Sequence, residues 1–193
     1  MWKNRKKGDI FNDCLVSVDG TDFLIVFLGC KFHSFKYKFG SGLRYEVATS
    51  ILGGDLVWIN GPYEPGIWND ISVFRNALLS ELDEGERVEA DDGYVGESPE
   101  YVKCPRSIGN HEITESMAAI VRRRHETINK RFKQWGILKQ AYRGDITEHG
   151  LAFRVVAVVT QLAIENGEPL FSVDYEDPDF DNFDDEDEDD EDE

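Results

Sequence analysis

Residues 42–51 (GLRYEVATSI) and 55–60 (DLVWIN) are two β-rich runs separated by Gly53 and Gly54, and this pattern commits the middle of the chain to an antiparallel hairpin. Upstream, residues 14–19 (CLVSVD) read as a short buried strand that ends at a turn signal, Asp19-Gly20-Thr21, so Asp19 is expected at a strand end. Downstream, residues 69–82 place Ile71, Phe74, Leu78 and Leu82 at helical spacing, with Asn69 or Asp70 available as N-cap. Residues 87–90 (RVEA) follow as a fourth strand, again running into acid at Asp91. From residue 114 to about 135, Met117, Ile120, Val121, Ile128, Phe132 and Trp135 describe one long amphipathic helix, and residues 148–165 form another apolar helix. Three strands, a helix, a strand and two helices are the order of an α/β domain with a mixed sheet.

Composition sets the limits of that domain. Residues 174–193 hold fifteen acids and no base, too few apolar groups to offset the entropy of ordering, so a disordered acidic tail is expected there. The formal charge of -18 is therefore misleading: the preceding residues carry 24 acids against 21 bases, and residues 106–143 are locally basic, with nine Lys or Arg against three Glu. Cys14, Cys30 and Cys104 are odd in number and far apart, which suggests neither a disulfide framework nor a zinc site and fits a reducing compartment. No apolar run approaches the roughly 20 residues of a membrane span, so an intracellular protein without a membrane partner is expected. The expected organisation is a basic lead-in over residues 1–13, one domain over 14–173 and the tail over 174–193. The run Lys3-Asn4-Arg5-Lys6-Lys7 is compatible with nuclear import or with phosphate contacts.

Asp19 and Asp91 at two strand ends, with Glu126 on a following helix, make a set of hard oxygen donors of the kind that holds divalent magnesium. Two such ions assist phosphodiester displacement by activating the attacking oxygen and stabilising the leaving one. Several blocks in order give this set a context: residues 18–21 (VDGT), 38–46 (KFGSGLRYE), 55–62 (DLVWINGP), 66–70 (GIWND), 84–94 (EGERVEADDGY) and 124–132 (RHETINKRF). Together they resemble the DDE superfamily endonuclease domain of PIF/Harbinger-like transposases over about residues 14–173. The resemblance implies a ribonuclease H-like mixed sheet flanked by helices, and a catalytic triad of Asp19, Asp91 and Glu126. It also implies Mg2+ (or Mn2+), with two ions, as cofactor and DNA as substrate. The interval of 35 residues between Asp91 and Glu126 suits the family.

Each position also has a plainer role open to it. Asp19 before Gly-Thr could simply form a turn, and Asp92 competes with Asp91. Asp70 aligns with an acid often retained in the family, as a secondary metal ligand, and equally suits an N-cap. Glu126 lies opposite the apolar stripe with Arg122 and Lys130 at i−4 and i+4, so an exposed ion-pair ladder is the competing role. In the functional alternative Arg122, Arg123, Lys130 and Lys133 contact DNA phosphates. His125 could assist, though a lone His in a basic helix is usually exposed.

Transposases of this type are expected to carry a helix-turn-helix DNA-binding region ahead of the catalytic domain, and thirteen residues precede the first strand here. Two functions are therefore expected to compete. One is a metal-dependent endonuclease acting in the nucleus, with targeting supplied by a separate DNA-binding partner protein. The other is a catalytically silent domesticated or truncated module that binds DNA or protein, its acidic tail serving as an arm for a basic partner. The apolar stretch 23–35 (FLIVFLGCKFHSF) is expected either to cover an exposed face or to record drift.

Overall fold

A computed structural model describes residues 1–7, 14–26, 29–38, 40–106 and 112–173, with the backbone alone over 112–118. The acidic tail and the second half of the basic lead-in lie outside the described residues. A 3-10 helix, Trp2–Lys6, precedes β1 (Cys14–Ile25), β2 (Ser41–Ser50) and β3 (Leu56–Tyr63). Then come α1 (Asp70–Asn76), β4 (Arg87–Glu89), β5 (Val102–Lys103), α2 (Glu112–Phe132), α3 (Gly136–Lys139) and α4 (Ile146–Glu165). The five strands form one mixed sheet in the order β3-β2-β1-β4-β5. β2 runs antiparallel to both of its neighbours, whereas β4 is parallel to β1 and to β5. The expected α/β class with a mixed sheet flanked by helices is the one observed.

The expected hairpin joins β2 to β3, and Gly54, at φ +67°, supplies the left-handed turn that its lack of a Cβ allows. Asp19, by contrast, does not end a strand. β1 pairs with β2 without interruption from Val16↔Ser50 to Ile25↔Ser41, so Asp19 lies in mid-strand opposite Val47. Phe23 and Ile25, buried beyond it, make the longer strand worthwhile. The helix expected over 69–82 stops at Asn76: Ala77 leaves helical geometry and Leu78–Glu81 continues as a 3-10 turn. That break still sends Leu78 into the core, and Trp2 donates to the Glu81 carbonyl at 3.2 Å. The two-residue strand β5 was not foreseen, since so short a run carries no periodicity.

Alternation along β1 and β2 creates two apolar layers. Phe23, Leu43, Tyr45 and Val47 meet Ile128 and Phe132 of α2 and Phe153 of α4 on one face. Val16, Val18 and Ala48 meet Phe74, Leu78 and Tyr94 on the other. The basic lead-in packs onto this body. Arg5 is buried, bonded to Glu86 at 2.8 and 3.0 Å and to Asp83 at 3.0 Å, while Lys6 pairs with Asp83 and Lys7 with Asp55. Arg5 is engaged inside the fold, whereas Lys6 and Lys7 make their ion pairs at its surface.

Arg124 of α2 is 1% exposed and ties distant parts of the chain together. Its guanidinium donates to the carbonyls of Ser50 (3.0 Å) and Ile51 at the end of β2, and to that of Phe171 (2.7 and 3.1 Å) beyond α4. Burial lowers it to about 10, which leaves it charged at neutral pH. Truncating it strands the carbonyls of Ile51 and Phe171, while that of Ser50 keeps the Gly54 N–H at 3.1 Å, so Arg124→Ala should lose roughly 3 kcal/mol of stability. Urea unfolding measures this, and a loss below about 1 kcal/mol would show that the carbonyls find other donors.

Candidate metal centre

β4 reaches only as far as Ser17↔Glu89 in its parallel pairing with β1. On the same side of β1, the chain resumes pairing at Leu24–Val26, where Tyr142 exchanges backbone hydrogen bonds with Leu24 and Val26 at 2.9 and 2.8 Å. Between these two pairings the edge of β1 opens, and Asp19 sits in the gap. Asp19 lies two residues past Ser17 within β1, and Asp91 two residues past Glu89, just beyond the end of β4, close enough for its charge to act on Asp19.

Asp70 joins them from the opposite layer. The capping role goes to Asn69, whose Oδ1 accepts from the Ser72 N–H at 3.0 Å, and this leaves the Asp70 carboxylate free to reach the sheet. It arrives over Gly20, where a Cβ would stand 2.1 Å from Asp70 Oδ1. Gly20 is thus a notch, and close approach rather than a turn explains the glycine. A Cβ on Gly93 would lie 2.8 Å from Asp91 Oδ1 and 3.5 Å from Asp70 Oδ2, so these two carboxylates flank a second glycine.

The electrostatics record this crowding. Burial first, then the Asp91 charge, push the Asp19 carboxyl up to about 6, against weaker opposing effects of Lys36, the Gly20 N–H and Arg44. Asp70 is raised by burial and by Asp19, Asp91 and Asp22, while Arg44 opposes the shift. Arg44 Nη1 lies 3.2 Å from Asp70 Oδ1, and the same guanidinium grips Asp22 at 2.9 and 3.2 Å. Ser34 also donates to Asp22, and Trp68 offers Arg44 its carbonyl at 3.3 Å. Glu46, opposite Gly20 in the β1–β2 ladder, is raised to about 8 by burial, with Trp58 lowering and Asp70 raising it. Its Oε2 accepts from Trp58 Nε1 at 3.0 Å, whereas buried Oε1 has no hydrogen-bond partner among the described residues.

Asp91 also accepts from the Gly93 N–H at 2.8 Å, capping the 3-10 helix Asp92–Glu97. Asp92 faces away, toward the Arg106 N–H at 3.2 Å and the Arg106 guanidinium at 3.4 Å. Of the two, Asp91 therefore lies beside Asp19. Glu126 is not gathered in: it is exposed, and the charges acting on Asp19 and Asp70 do not include it. Nor does it form the i−4 ion pair, because Arg122 turns to Glu89 on β4 at 3.5 Å. Its neighbour His125 is buried rather than exposed, bonded to Ser17 Oγ at 2.8 Å, and lowered to about 4 chiefly by burial. That bond pins α2 to the β1 face that Ser17 shares with Asp19. Arg123 and Lys130 are exposed, and Lys133 is half-buried and lowered by burial, then by Lys36.

Asp19, Asp70 and Asp91 are hard oxygen donors that repel one another, opposed by the cations Arg44 and Lys36 and by the Gly20 N–H, which is the donor chemistry that a small dication offsets. Among the described residues, no group of three or more His, Cys, Asp or Glu side chains is assembled as a metal site. Arg44, Asp22 and Glu46 were missed in the sequence. A signal was present for two of them, since Arg44 and Glu46 alternate onto one face of a strand that both layers cover. Comparison with family models, curated proteins and solved structures finds no match to this chain.

The raised Asp19 predicts a pH dependence. The folded chain holds this proton more tightly than the unfolded chain does, so between about pH 4 and 6 stability falls as pH rises. Asp19→Asn removes that loss and should be the more stable protein above pH 6, by on the order of 2–3 kcal/mol. Urea unfolding of both proteins at pH 4 and pH 7.5 reads the difference. An identical gap at the two pH values would take Asp19 out of the acidic group.

Proposed function

We propose that this chain is a divalent-metal-dependent endonuclease of the DDE transposase kind, built on a ribonuclease H-like sheet and hydrolysing or transferring DNA phosphodiesters. The observation that carries this is the gathering of Asp19 on β1, Asp91 just past the end of parallel β4, and Asp70 brought across Gly20, each within reach of the others' charge. Asp19 and Asp91 would hold Mg2+ or Mn2+, with Asp70 as an additional donor. Magnesium there would supply Lewis-acid polarisation of the phosphodiester and a more acidic attacking water. The resemblance assigns the third ligand to Glu126, on the helix that His125 pins beside Asp19. Arg123 and Lys130, exposed on that helix, suit DNA phosphates, as does half-buried Lys133. Arg122 would have to leave Glu89 to join them.

A second reading, the catalytically silent module that binds DNA or protein, draws on different observations: Asp91 already serves as a helix cap and Glu126 stands apart. Both readings place a nucleic-acid or protein partner on α2, and in either a separate DNA-binding protein could supply targeting.

Metal-dependent nicking of supercoiled DNA by the full chain separates the two. An active site should lose on the order of a hundredfold or more in rate in Asp19→Asn and Asp91→Asn. Wild type should also gain thermal stability with Mg2+ or Mn2+ beyond any gain in Asp91→Asn, a comparison that cancels binding to the acidic tail. Cleavage undiminished in both variants would reject the assignment. Salt-sensitive DNA binding without cleavage, weakened by Arg123→Ala with Lys130→Ala, would establish the silent module.

A further inference from the structure

α4 is apolar on both sides: Phe153, Val156, Ala157 and Ile164 face the core. Its polar residues His149, Thr160 and Gln161 are also buried there, with His149 Nδ1 bonded to the Tyr45 hydroxyl at 2.7 Å, and Gln161 to the Leu56 N–H at 2.7 Å and Asp55 at 2.8 Å. Its outer face is aliphatic. Leu151 is 58% exposed, Val155 63%, Val158 48%, Val159 38% and Leu162 51%. A helix lying on a domain surface normally turns charged and polar residues outward, and one that is apolar all round is normally covered on every side.

We propose that this face is covered by a second copy of the chain, the two α4 helices packing antiparallel about a two-fold axis. Leu151, Val155, Val158 and Leu162 are spaced four, three and four residues apart, the repeat of a helix–helix seam. The stripe is also palindromic. In the antiparallel register Leu151 meets the partner's Leu162 and Val155 meets the partner's Val158, so each layer has equal volume and the surface is its own complement, as a two-fold interface requires.

Area supports the same occupant. The five side chains leave on the order of 400 Å² of aliphatic surface in water, within the range at which an apolar patch marks an interaction site. A stable interface buries roughly 800 Å² per partner, a little over half of it apolar. The stripe thus provides nearly all the apolar core that one side of a dimer needs, and Arg154 and Glu165, exposed beside it, begin a polar rim. Nothing here depends on metal binding or catalysis.

Sedimentation velocity of the full chain from low to high micromolar concentration tests the proposal. Wild type should double its mass as concentration rises. Val155→Glu and Val158→Glu should stay monomeric while keeping the wild-type far-ultraviolet circular dichroism. A neutral second readout uses cysteines at the same positions with Cys30→Ser: a mixture of Val155→Cys and Val158→Cys chains should form intermolecular disulfides several-fold faster than either chain alone. A wild type monomeric throughout overturns the proposal, including the case in which monomers float with phosphatidylcholine vesicles and the face belongs to lipid. Dimers that persist in both glutamate variants overturn it too, as do cysteine chains that cross-link with themselves as fast as with each other.

Discussion

The unequal pairing of the two edges of β1 is the constraint from which the rest of this structure follows. On one side β1 is laddered to β2 along nearly its whole length; on the other it meets β4 at its beginning and Tyr142 at its end. A strand held so firmly on one side tolerates a gap on the other without losing its course. The gap admits three carboxylates from three segments, and it is also where β4 must leave the sheet, placing Asp91 beside Asp19.

Gathering those acids works against folding. Asp19, Asp70 and Glu46 are all raised above their ordinary range with burial as the leading cause, so each is held where its charged form is disfavoured. The apolar layers on both faces of the sheet offset this penalty. The Asp22–Arg44–Asp70 network directs it, since one guanidinium spans a buried carboxylate and the carboxylate that overhangs Gly20. A site in which stability is given up locally while the scaffold stays rigid is the usual arrangement where charge must later be met by a ligand.

Much of the architecture was legible because it rests on local signals. The β2–β3 hairpin follows from Gly53-Gly54, and α2 and α4 follow from apolar spacing. Asp19-Gly20-Thr21 misled for an instructive reason: a glycine beside an acid ordinarily marks a turn, but here the missing Cβ serves a residue fifty positions away that comes from the other layer. The same limit applies to His125. Helical periodicity places it among charged neighbours, and only the position of Ser17 shows that it faces the sheet. The acids Asp19 and Asp91 could be singled out from sequence, whereas Arg44 and Glu46 left only the sign of charges alternating on a buried strand and Asp22 left none, because their roles are defined by what surrounds them after folding.

The grip of Arg124 on both ends of the domain has a consequence for synthesis. The carbonyls it satisfies belong to Ser50 and Ile51, made early, and to Phe171, made near the end of the described chain. The hairpin can form while the ribosome is still at work, but its closing edge has to wait for α2, and α2 has to wait for the segment after α4. Contacts of such long sequence separation slow folding and prolong the interval in which the sheet edge is exposed. The last of these contacts closes only once the segment beyond α4 has emerged.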